Sequence, residues 1–422
     1  MPPVMNGRRL LVSLALVQAF LGARAVVRMA RGAGGRRIGT VAAAPAQGSL
    51  VSVIVPVLNE VDRLAPCLDG LIAQGSEARE ILVVDGGSGD RTQDLIRAYR
   101  ARDDRVRLVD ASPVPPGWNG KAWGLQVGLE RSDPRAPWIL TIDADVRPSA
   151  ALTRSLLTHA GREGVAALSV ATAQELSGPL EALPHPALLT TLVYRFGPPG
   201  HAARRVRAAQ ANGQCFLARR DALERCRAFV VARASICEDV TIARSLVAAG
   251  YAVGFYEVNK GENLVSVEMY RDWRDAWRNW PRSLPLRDQY SGLGGSVLGL
   301  CEVTLIQALP LPLCALLLPR LSSPLPRTGE CAGPSAAAEG PVSRGVGVRA
   351  LGSEGALLAV NAVLAAVRLG VLAGTARAYR RVPATYWLSP LCDLPVALRL
   401  WISLFQRRHT WRGRVLVNGG TL

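Results

Sequence analysis

The chain has 422 residues and a formal net charge of +17, almost all of it arginine, since lysine occurs only at Lys121 and Lys260. It is 49% hydrophobic but only 5% aromatic, a balance that fits a soluble body with apolar segments attached and a length that allows one large domain or two ordinary ones. Eight cysteines without a CxxC pair and four scattered histidines argue against a disulfide framework and a histidine-built metal site.

The basic charge suits nucleic acid, anionic lipid or a diphosphate, but arginine is inflated together with Ala, Gly and Pro, so charge alone decides nothing. In chain order, Leu10–Val27 is an apolar stretch interrupted by Arg24 and trailed by Arg28, Arg31, Arg36 and Arg37. It reads as a membrane anchor or uncleaved signal-like segment whose arginines hold that end on the cytoplasmic side. Residues Arg31–Gly48 read as a Gly/Ala-rich linker.

From Leu50 short β-branched runs alternate with helical stretches. The runs are Val51–Val57, Ile81–Asp85, Val106–Val109, Trp138–Ile142 and Val165–Val170, and the helices include Glu60–Leu71, Thr92–Ala101 and Lys121–Arg131. This pattern predicts an α/β fold with a mainly parallel sheet and flanking helices, whose ligands bind at the carboxyl ends of the strands. Three apolar blocks follow: Leu293–Pro319, Gly355–Ala373 and Tyr386–Phe405. The first two are long enough to span a bilayer, and the third, broken by Pro390 and Pro395, is expected to lie in the interface or re-enter. Ser322–Arg349 reads as a poorly ordered loop. The basic tail Arg407–Arg414 belongs on the cytoplasmic side, so one of the four apolar segments is not expected to cross. The expected division is an anchor and linker over residues 1–48, a catalytic domain over 49–290, and a membrane-associated region over 291–422.

The strand tips carry the chemistry. VPVLNE places Pro56, Asn59 and Glu60 where a ligand would lie, and VVDGGSGDRT places Asp85 at the next tip. Asp85 can accept the N–H of a pyrimidine base, although an Asp in this stretch can also cap the helix that starts near Thr92, a job that suits Asp90 better. TIDADV gives Asp143 and Asp145, which an extended backbone would point to one side. Hard carboxylate oxygens with diphosphate oxygens suit Mg²⁺ or Mn²⁺. PPGWNGKAWGL offers glycines and Lys121 at a helix start, a plausible diphosphate cradle. SICEDVTIARSL opens a helix with Glu238 and Asp239, acids that serve either as dipole partners or, in Asp239, as a general base. In MYRDWRDAWRNWPRS the tryptophans Trp273, Trp277 and Trp280 share a helix face beside Arg274 and Arg278. That face either lies in a membrane interface with the arginines on a diphosphate, or packs on the core with the arginines in solvent.

Taken in order, VPVLNE, DGGSGD, the Gly-Lys element, DAD, NGQCFLARR, ED and the Arg/Trp helix resemble the family 2 glycosyltransferases with the GT-A fold, over roughly residues 50–290. PPGWNGKAW and the flanking apolar segments look closest to transferases acting on carotenoids and hopanoids, the diaponeurosporenoate and chlorobactene groups. The tail HTWRGRV resembles the end of ceramide-type glucosyltransferases. The resemblance implies that Pro56, Glu60 and Asp85 surround the nucleoside, that Asp143 lies by the ribose or diphosphate, that Asp145 holds the metal and that Asp239 is the base. Arg278, or Arg274 in its place, stands for the arginine of a QxxRW element. The chain departs from the pattern at Gly86, at the absent literal QxxRW and at Glu268.

The resulting expectation is an inverting, metal-dependent glycosyltransferase in the cell membrane, multi-pass, with its catalytic domain cytoplasmic. It would use a nucleotide-sugar donor, expected to be a UDP-sugar, and a lipid acceptor. A hydroxyl acceptor needs Asp239 to take its proton; a carboxylate acceptor does not. The rival readings are a processive polysaccharide synthase on the same fold and a basic nucleic-acid-binding protein, the latter opposed by apolar blocks at both ends.

Overall fold

A computed structural model describes residues 7–42, 50–286, 288–322, 352–406, 408–411 and 414–417. The apolar N-terminal run folds as α1 (Gly7–Ala33) and leads into β1 (Arg37–Ile38). The alternating region begins β2 (Val51–Val57), α2 (Leu64–Ile72), β3 (Ala78–Asp85), α3 (Thr92–Arg100), β4 (Val106–Asp110), α4 (Gly120–Arg131), β5 (Trp138–Ile142), β6 (Val146–Pro148) and α5 (Leu152–Glu163). It continues β7 (Ala167–Ala171), β8 (Ala173–Gln174), α6 (Pro184–Phe196), β9 (His201–Ala203), β10 (Cys215–Arg219), α7 (Arg220–Arg225) and α8 (Ala228–Val231). Then come α9 (Glu238–Ala248), β11 (Val253–Val258), β12 (Val265–Val267) and α10 (Trp273–Asn279). The C-terminal part holds α11 (Gly292–Val303), α12 (Pro310–Ser322), α13 (Ser353–Thr375) and α14 (Asp393–Phe405), then a hairpin of β13 (Arg408–Trp411) and β14 (Arg414–Val417).

Nine strands form one sheet in the order β1-β11-β7-β10-β5-β2-β3-β4, with β9 beside β11. β10 is antiparallel to β5 and β7, and β9 to β11, while the remaining pairs are parallel. The α/β class expected from the sequence stands: a mostly parallel sheet, with apolar helices at both ends of the chain. Central strands are apolar on both faces because helices cover both. Val53 and Val55 of β2 pack with α2 and α5, and Ile54 between them packs with α4 and α9.

The expected linker needs correction. The stretch read as a linker contains β1, which pairs with β11: Ile38 is apolar and fully buried, so this short segment gains more from the sheet edge than from solvent. After β10 the chain passes directly into α7, and Arg219 and Asp221 pair at 2.8 Å. The expected loop Ser322–Arg349 lies outside the described residues from 323 onward, as do Arg407, Arg412 and Gly413 of the tail.

Among the described residues, three helical stretches are long and apolar enough to cross a membrane: Gly7–Ala33, Ser353–Ala378 and Ala384–Phe405. The first C-terminal block is the broken one, bent by 41° between Gly292–Ala308 and Pro310–Leu321. A π-helical turn at Thr304–Ala308 followed by Pro310 explains the bend. The third block, expected to break at its prolines, continues instead: Pro390 lies in a 3-10 segment and Pro395 in the first turn of α14, where its missing N–H leaves no helical bond unmade.

Polar pairs join these helices. Gln18 and Asn361 exchange side-chain hydrogen bonds at 3.0 Å, Glu302 takes Arg24 at 2.6 Å and Arg28 at 3.3 Å, and Arg368 meets Asp393 at 2.8 Å with both side chains buried. Charges in apolar helices are costly unless paired, which is why these apolar segments tolerate them.

Close packing under the sheet depends on glycine. A Cβ on Gly70 of α2 would stand 2.0 Å from the Pro148 carbonyl oxygen, a backbone atom that cannot swing away. Gly70→Ala is therefore expected to destabilise the protein by about 1–3 kcal/mol, whereas Gly161→Ala, which meets nothing within 4 Å, is neutral or stabilising by up to ~1 kcal/mol. Thermal melts of the two variants in detergent check the contrast.

Candidate active site

The carboxyl ends of β2, β3 and β5 lie on one edge of the sheet. Asn59, after β2, has φ 55°, a left-handed conformation that asparagine tolerates. Its N–H donates to Ser88 Oγ at 2.9 Å and its Oδ1 accepts from Gly89 N–H at 2.9 Å, lacing the first two strand tips together. Asp85 is fully buried, and its carboxylate accepts from Ser88 N–H at 3.1 Å, Ser88 Oγ at 2.5 Å and Gln93 Nε2 at 2.7 Å. It thus holds its own loop in shape. Asp90 accepts from Thr92 N–H at 2.9 Å at the start of α3.

Asp143 and Asp145 come together by a route other than the expected pleat. The segment after β5 turns, with Val146 N–H donating to Asp143 O at 3.1 Å, and the two carboxylates face different cations. Asp143 meets Lys121 Nζ at 2.7 Å through Oδ1 and at 2.9 Å through Oδ2. Asp145 Oδ2 lies 3.6 Å from Arg63 Nη1, and Arg63 also holds Glu60 at 3.0 Å. Pro56 backs this edge against α4, where a Cβ on Gly124 would stand 3.3 Å from it.

Lys121 starts α4 because the Asn119 side chain caps the helix, accepting from Lys121 N–H at 2.9 Å. Its ammonium reaches a second carboxylate, Glu238, at 3.0 Å. Burial alone would lower the lysine pKa, but Asp143, Glu238 and Asp239 together raise it. Asp239 follows Glu238 in the first turn of α9. Its Oδ2 accepts from Gly213 N–H and its Oδ1 from Val240 N–H, both at 2.8 Å. Gly213 is needed there, since a Cβ would stand 2.9 Å from Lys121 Nζ and 3.2 Å from Asp239 Cβ. The NGQ loop carrying Gly213 is tied to the sheet: Asn212 N–H donates to Ser169 Oγ at 2.7 Å and Asp143 N–H to Gln214 O at 3.1 Å.

Burial, then the neighbouring Glu238, lift Asp239 to a pKa of about 7 against the pull of Lys121. Burial, then Asp143, lift Asp145 to about 7 against Arg63. Burial raises Asp143 as well, opposed by Lys121. Asp145 Oδ1 is buried with no hydrogen-bond partner, an arrangement that costs free energy unless something completes it. Among the described residues no group of three His, Cys, Asp or Glu side chains is placed to hold a metal. A site completed by diphosphate oxygens needs only one or two protein carboxylates, so Asp145 fits a divalent cation and Asp143, already occupied by Lys121, fits it less well.

Lys121, Asp143, Glu238 and Asp239 line one end of a cavity of about 1330 Å³. The cavity also runs along apolar side chains, Phe20 and Val27 of α1, Leu192 and Phe196 of α6 and Val367 and Val371 of α13, with the cationic side chains of Arg24, Arg28, Arg31 and Arg377 among them. Pro56, Glu60, Asp85 and Asp145 stand outside this cavity, on the sheet side of the Lys121–Asp143 pair.

Arg274 and Arg278 are exposed, Arg274 stacking over Trp273 with its guanidinium 5.0 Å from the ring centre. Trp277 and Trp280 pack on the cluster of Leu188, Leu284 and Leu400, so this part of the stripe faces the core. The arginine turned toward the acids is Arg282, two residues past Trp280, which feels Tyr270, Glu238 and Asp275 and is lowered in pKa by burial. Glu268 pairs with Arg147. Sequence reasoning missed Arg63, Glu238 as a lysine partner and Arg282. The one signal available was spacing, Arg63 lying three residues after Glu60.

Residues 52–227 match the family model described as Glycosyl transferase family 2. Glycosyltransferase GlyG of Streptococcus pneumoniae serotype 4 is 28% identical over 96 residues, 23% of this chain and 30% of the relative. Dolichyl-phosphate beta-glucosyltransferase ALG5C of Trichomonas vaginalis is 34% identical over 100 residues, 22% of this chain and 28% of the relative. The chain thus spans less than a third of the length of these curated relatives. Mannosyltransferase PcManGT from Pyrobaculum calidifontis, solved with GDP-Man and Mn²⁺, aligns over 93% of this chain and 99% of its own, at 17% identity and a TM-score of 0.48. The strand-tip carboxylates Asp85, Asp143 and Asp145 thus fall inside the stretch, residues 52–227, that is similar to the Glycosyl transferase family 2 domain.

Proposed function

We propose that this protein is an inverting glycosyltransferase that moves a sugar from a nucleotide-diphosphate donor to a membrane lipid, with its catalytic domain on the cytoplasmic face. The observation that carries the reading is that Lys121, Asp143 and Asp239 line the same cavity as residues of α1 and α13, two helices apolar enough to cross a membrane. The donor side is the strand edge holding Glu60, Asp85 and Asp145, and the acceptor side is the cavity beyond Lys121. The resemblance to carotenoid and hopanoid transferases points to that class of lipid.

In the reaction an acceptor hydroxyl oxygen bonds to the anomeric carbon as the bond from that carbon to the phosphate oxygen breaks. The proton passes to Asp239 and the electron pair to the nucleoside diphosphate. Attack from the face opposite the leaving group inverts the centre. Lys121 and Arg282 are the cations placed to offset charge growing on the diphosphate. A divalent cation held by Asp145 would add Lewis-acid stabilisation of the same charge. Exclusion of water by the apolar walls strengthens each of these interactions.

Incubating membranes that contain the protein with a panel of nucleotide-sugars, followed by mass spectrometry of extracted lipids, tests the activity; no new glycolipid with any donor would end the reading. Asp239 is raised, so it is ionised and able to accept a proton above its pKa and protonated below it. We therefore expect kcat/KM to fall as pH drops through about 7. Asp239→Asn should remove that limb and lower turnover by roughly 10²–10⁴-fold. A loss of only a few fold would mean an acceptor that needs no deprotonation.

Asp145→Ala, assayed at limiting Mn²⁺ or Mg²⁺, is expected to lose at least about tenfold in rate, and a smaller loss removes Asp145 as the metal ligand. Arg282→Ala should lower turnover roughly tenfold or more, with Arg274→Ala and Arg278→Ala within about threefold of the parent. The reverse ranking would return the diphosphate contact to the exposed arginines.

A further inference from the structure

Asp145, the carboxylate proposed for the divalent cation, is already faced by a cation of the chain's own. Arg63 stands at the N-cap of α2, and its backbone is fixed there because the N–H groups of Arg63 and Leu64 both donate to the Glu60 carbonyl oxygen at 3.0 Å. From that base the guanidinium holds the Glu60 carboxylate through Nε at 3.2 Å and Nη2 at 3.0 Å. Its remaining nitrogen, Nη1, turns toward Asp145 Oδ2 at 3.6 Å. A cation at the start of a helix opposes the macrodipole, so the two carboxylates, and not the helix, favour an arginine here. The side chains of Arg63, Glu60 and Asp145 are only 21%, 5% and 15% exposed, so water screens these charges poorly.

The two oxygens of Asp145 are treated differently. Oδ2 faces Arg63 at a separation too long for a hydrogen bond, and Oδ1 is buried with no hydrogen-bond partner. Arg63 thus offsets the charge of Asp145 without satisfying its oxygens. At Asp143 the situation is the opposite, with Lys121 in contact at 2.7 and 2.9 Å. Asp145 is therefore the carboxylate free to exchange its counter-ion, and Arg63 can release it because Glu60 keeps hold of the guanidinium. That guanidinium stays charged at any working pH. A divalent cation coming alone to Asp145 would be repelled by it at short range. A diphosphate arriving at the same time offsets both positive charges and offers the guanidinium a strong new acceptor.

Building on the reading of Asp145 as the metal ligand, we propose that Arg63 is the resident counter-cation of that carboxylate, opposing a divalent cation that comes alone and passing to the diphosphate when cation and nucleotide arrive together. Glu60 tethers it through the exchange. The affinities for metal and for nucleotide are thereby made to depend on each other, each raising the other by the same factor.

The test uses the full chain in a neutral detergent. Binding of Mn²⁺ alone is read from the loss of its free-ion electron paramagnetic resonance signal, and binding of UDP and of GDP from calorimetry at zero and at saturating Mn²⁺. In the parent, Mn²⁺ should tighten one of the two nucleotides at least about tenfold. Arg63→Gln should tighten Mn²⁺ alone by roughly fivefold or more and shrink the nucleotide coupling by a similar factor. The same gain is expected in Arg63→Met, so the test stands on either neutral variant that folds. Arg63→Lys, which keeps the charge, should stay within about threefold of the parent in both measurements. Mn²⁺ alone bound no more tightly by the neutral variants than by the parent overturns the proposal, as does a parent whose nucleotide affinity ignores Mn²⁺. An equal gain in Arg63→Lys also overturns it, since side-chain shape and not charge would then be the cause. Failure of the metal reading itself is seen separately, as Mn²⁺ binding by Asp145→Ala that matches the parent with nucleotide present.

Discussion

The ammonium of Lys121 is the interaction on which the rest of the site depends. Two carboxylates within 3.0 Å of it, and a third close enough to shift its pKa, would repel one another without it. Three separate parts of the chain supply these groups: the start of α4, the turn after β5 and the first turn of α9. The lysine thus acts as a joint between elements distant in sequence. Its position requires a neighbour with no side chain, which Gly213 provides, so the NGQ loop and the lysine are constrained together.

The antiparallel strand β10 makes this joint possible. It lies between β5 and β7 and runs against both, so the loop that precedes it opens at the carboxyl ends of its neighbours. An all-parallel sheet would have put that loop at the opposite edge. One reversed strand therefore delivers the Asn212–Gln214 backbone to the place where Asp143 and Asp239 meet. Asp143, after β5, and Asp239, on α9, are thereby brought to the same lysine.

Much of this fold is legible in the sequence because the central strands are short β-branched runs buried on both faces, a pattern that leaves little choice of structure. Val51–Val57 and Trp138–Ile142 have the bounds that their composition predicts. The candidate site was legible to the level of residue type and strand end, and less so in its contacts. Asp143 and Asp145 are two residues apart in a turn, so the alternation of a strand does not describe where they point. Arg282 and Glu238 depend on how α9 packs beside the segment after α10, a tertiary relation that local spacing does not encode. The same limit applies to Asp85, whose loop consumes its hydrogen-bonding capacity, and to the first apolar C-terminal block, bent by a π-turn that composition does not reveal. The prolines of the third block fall where a helix start accommodates them, which hydropathy alone cannot register.

The Gln18–Asn361 pair joins residues 343 positions apart, and Glu302 ties the same N-terminal helix to the middle of the chain. During synthesis α1 emerges first, yet Gln18 waits for Asn361, made much later. Until then Gln18 lacks that partner, and α1 cannot settle against α13. The sheet domain, made of nearer contacts, can form earlier. Assembly of this protein thus has a built-in order, in which the sheet domain precedes the docking of α1 on α13, and truncation near the C-terminus would strand the N-terminus as well.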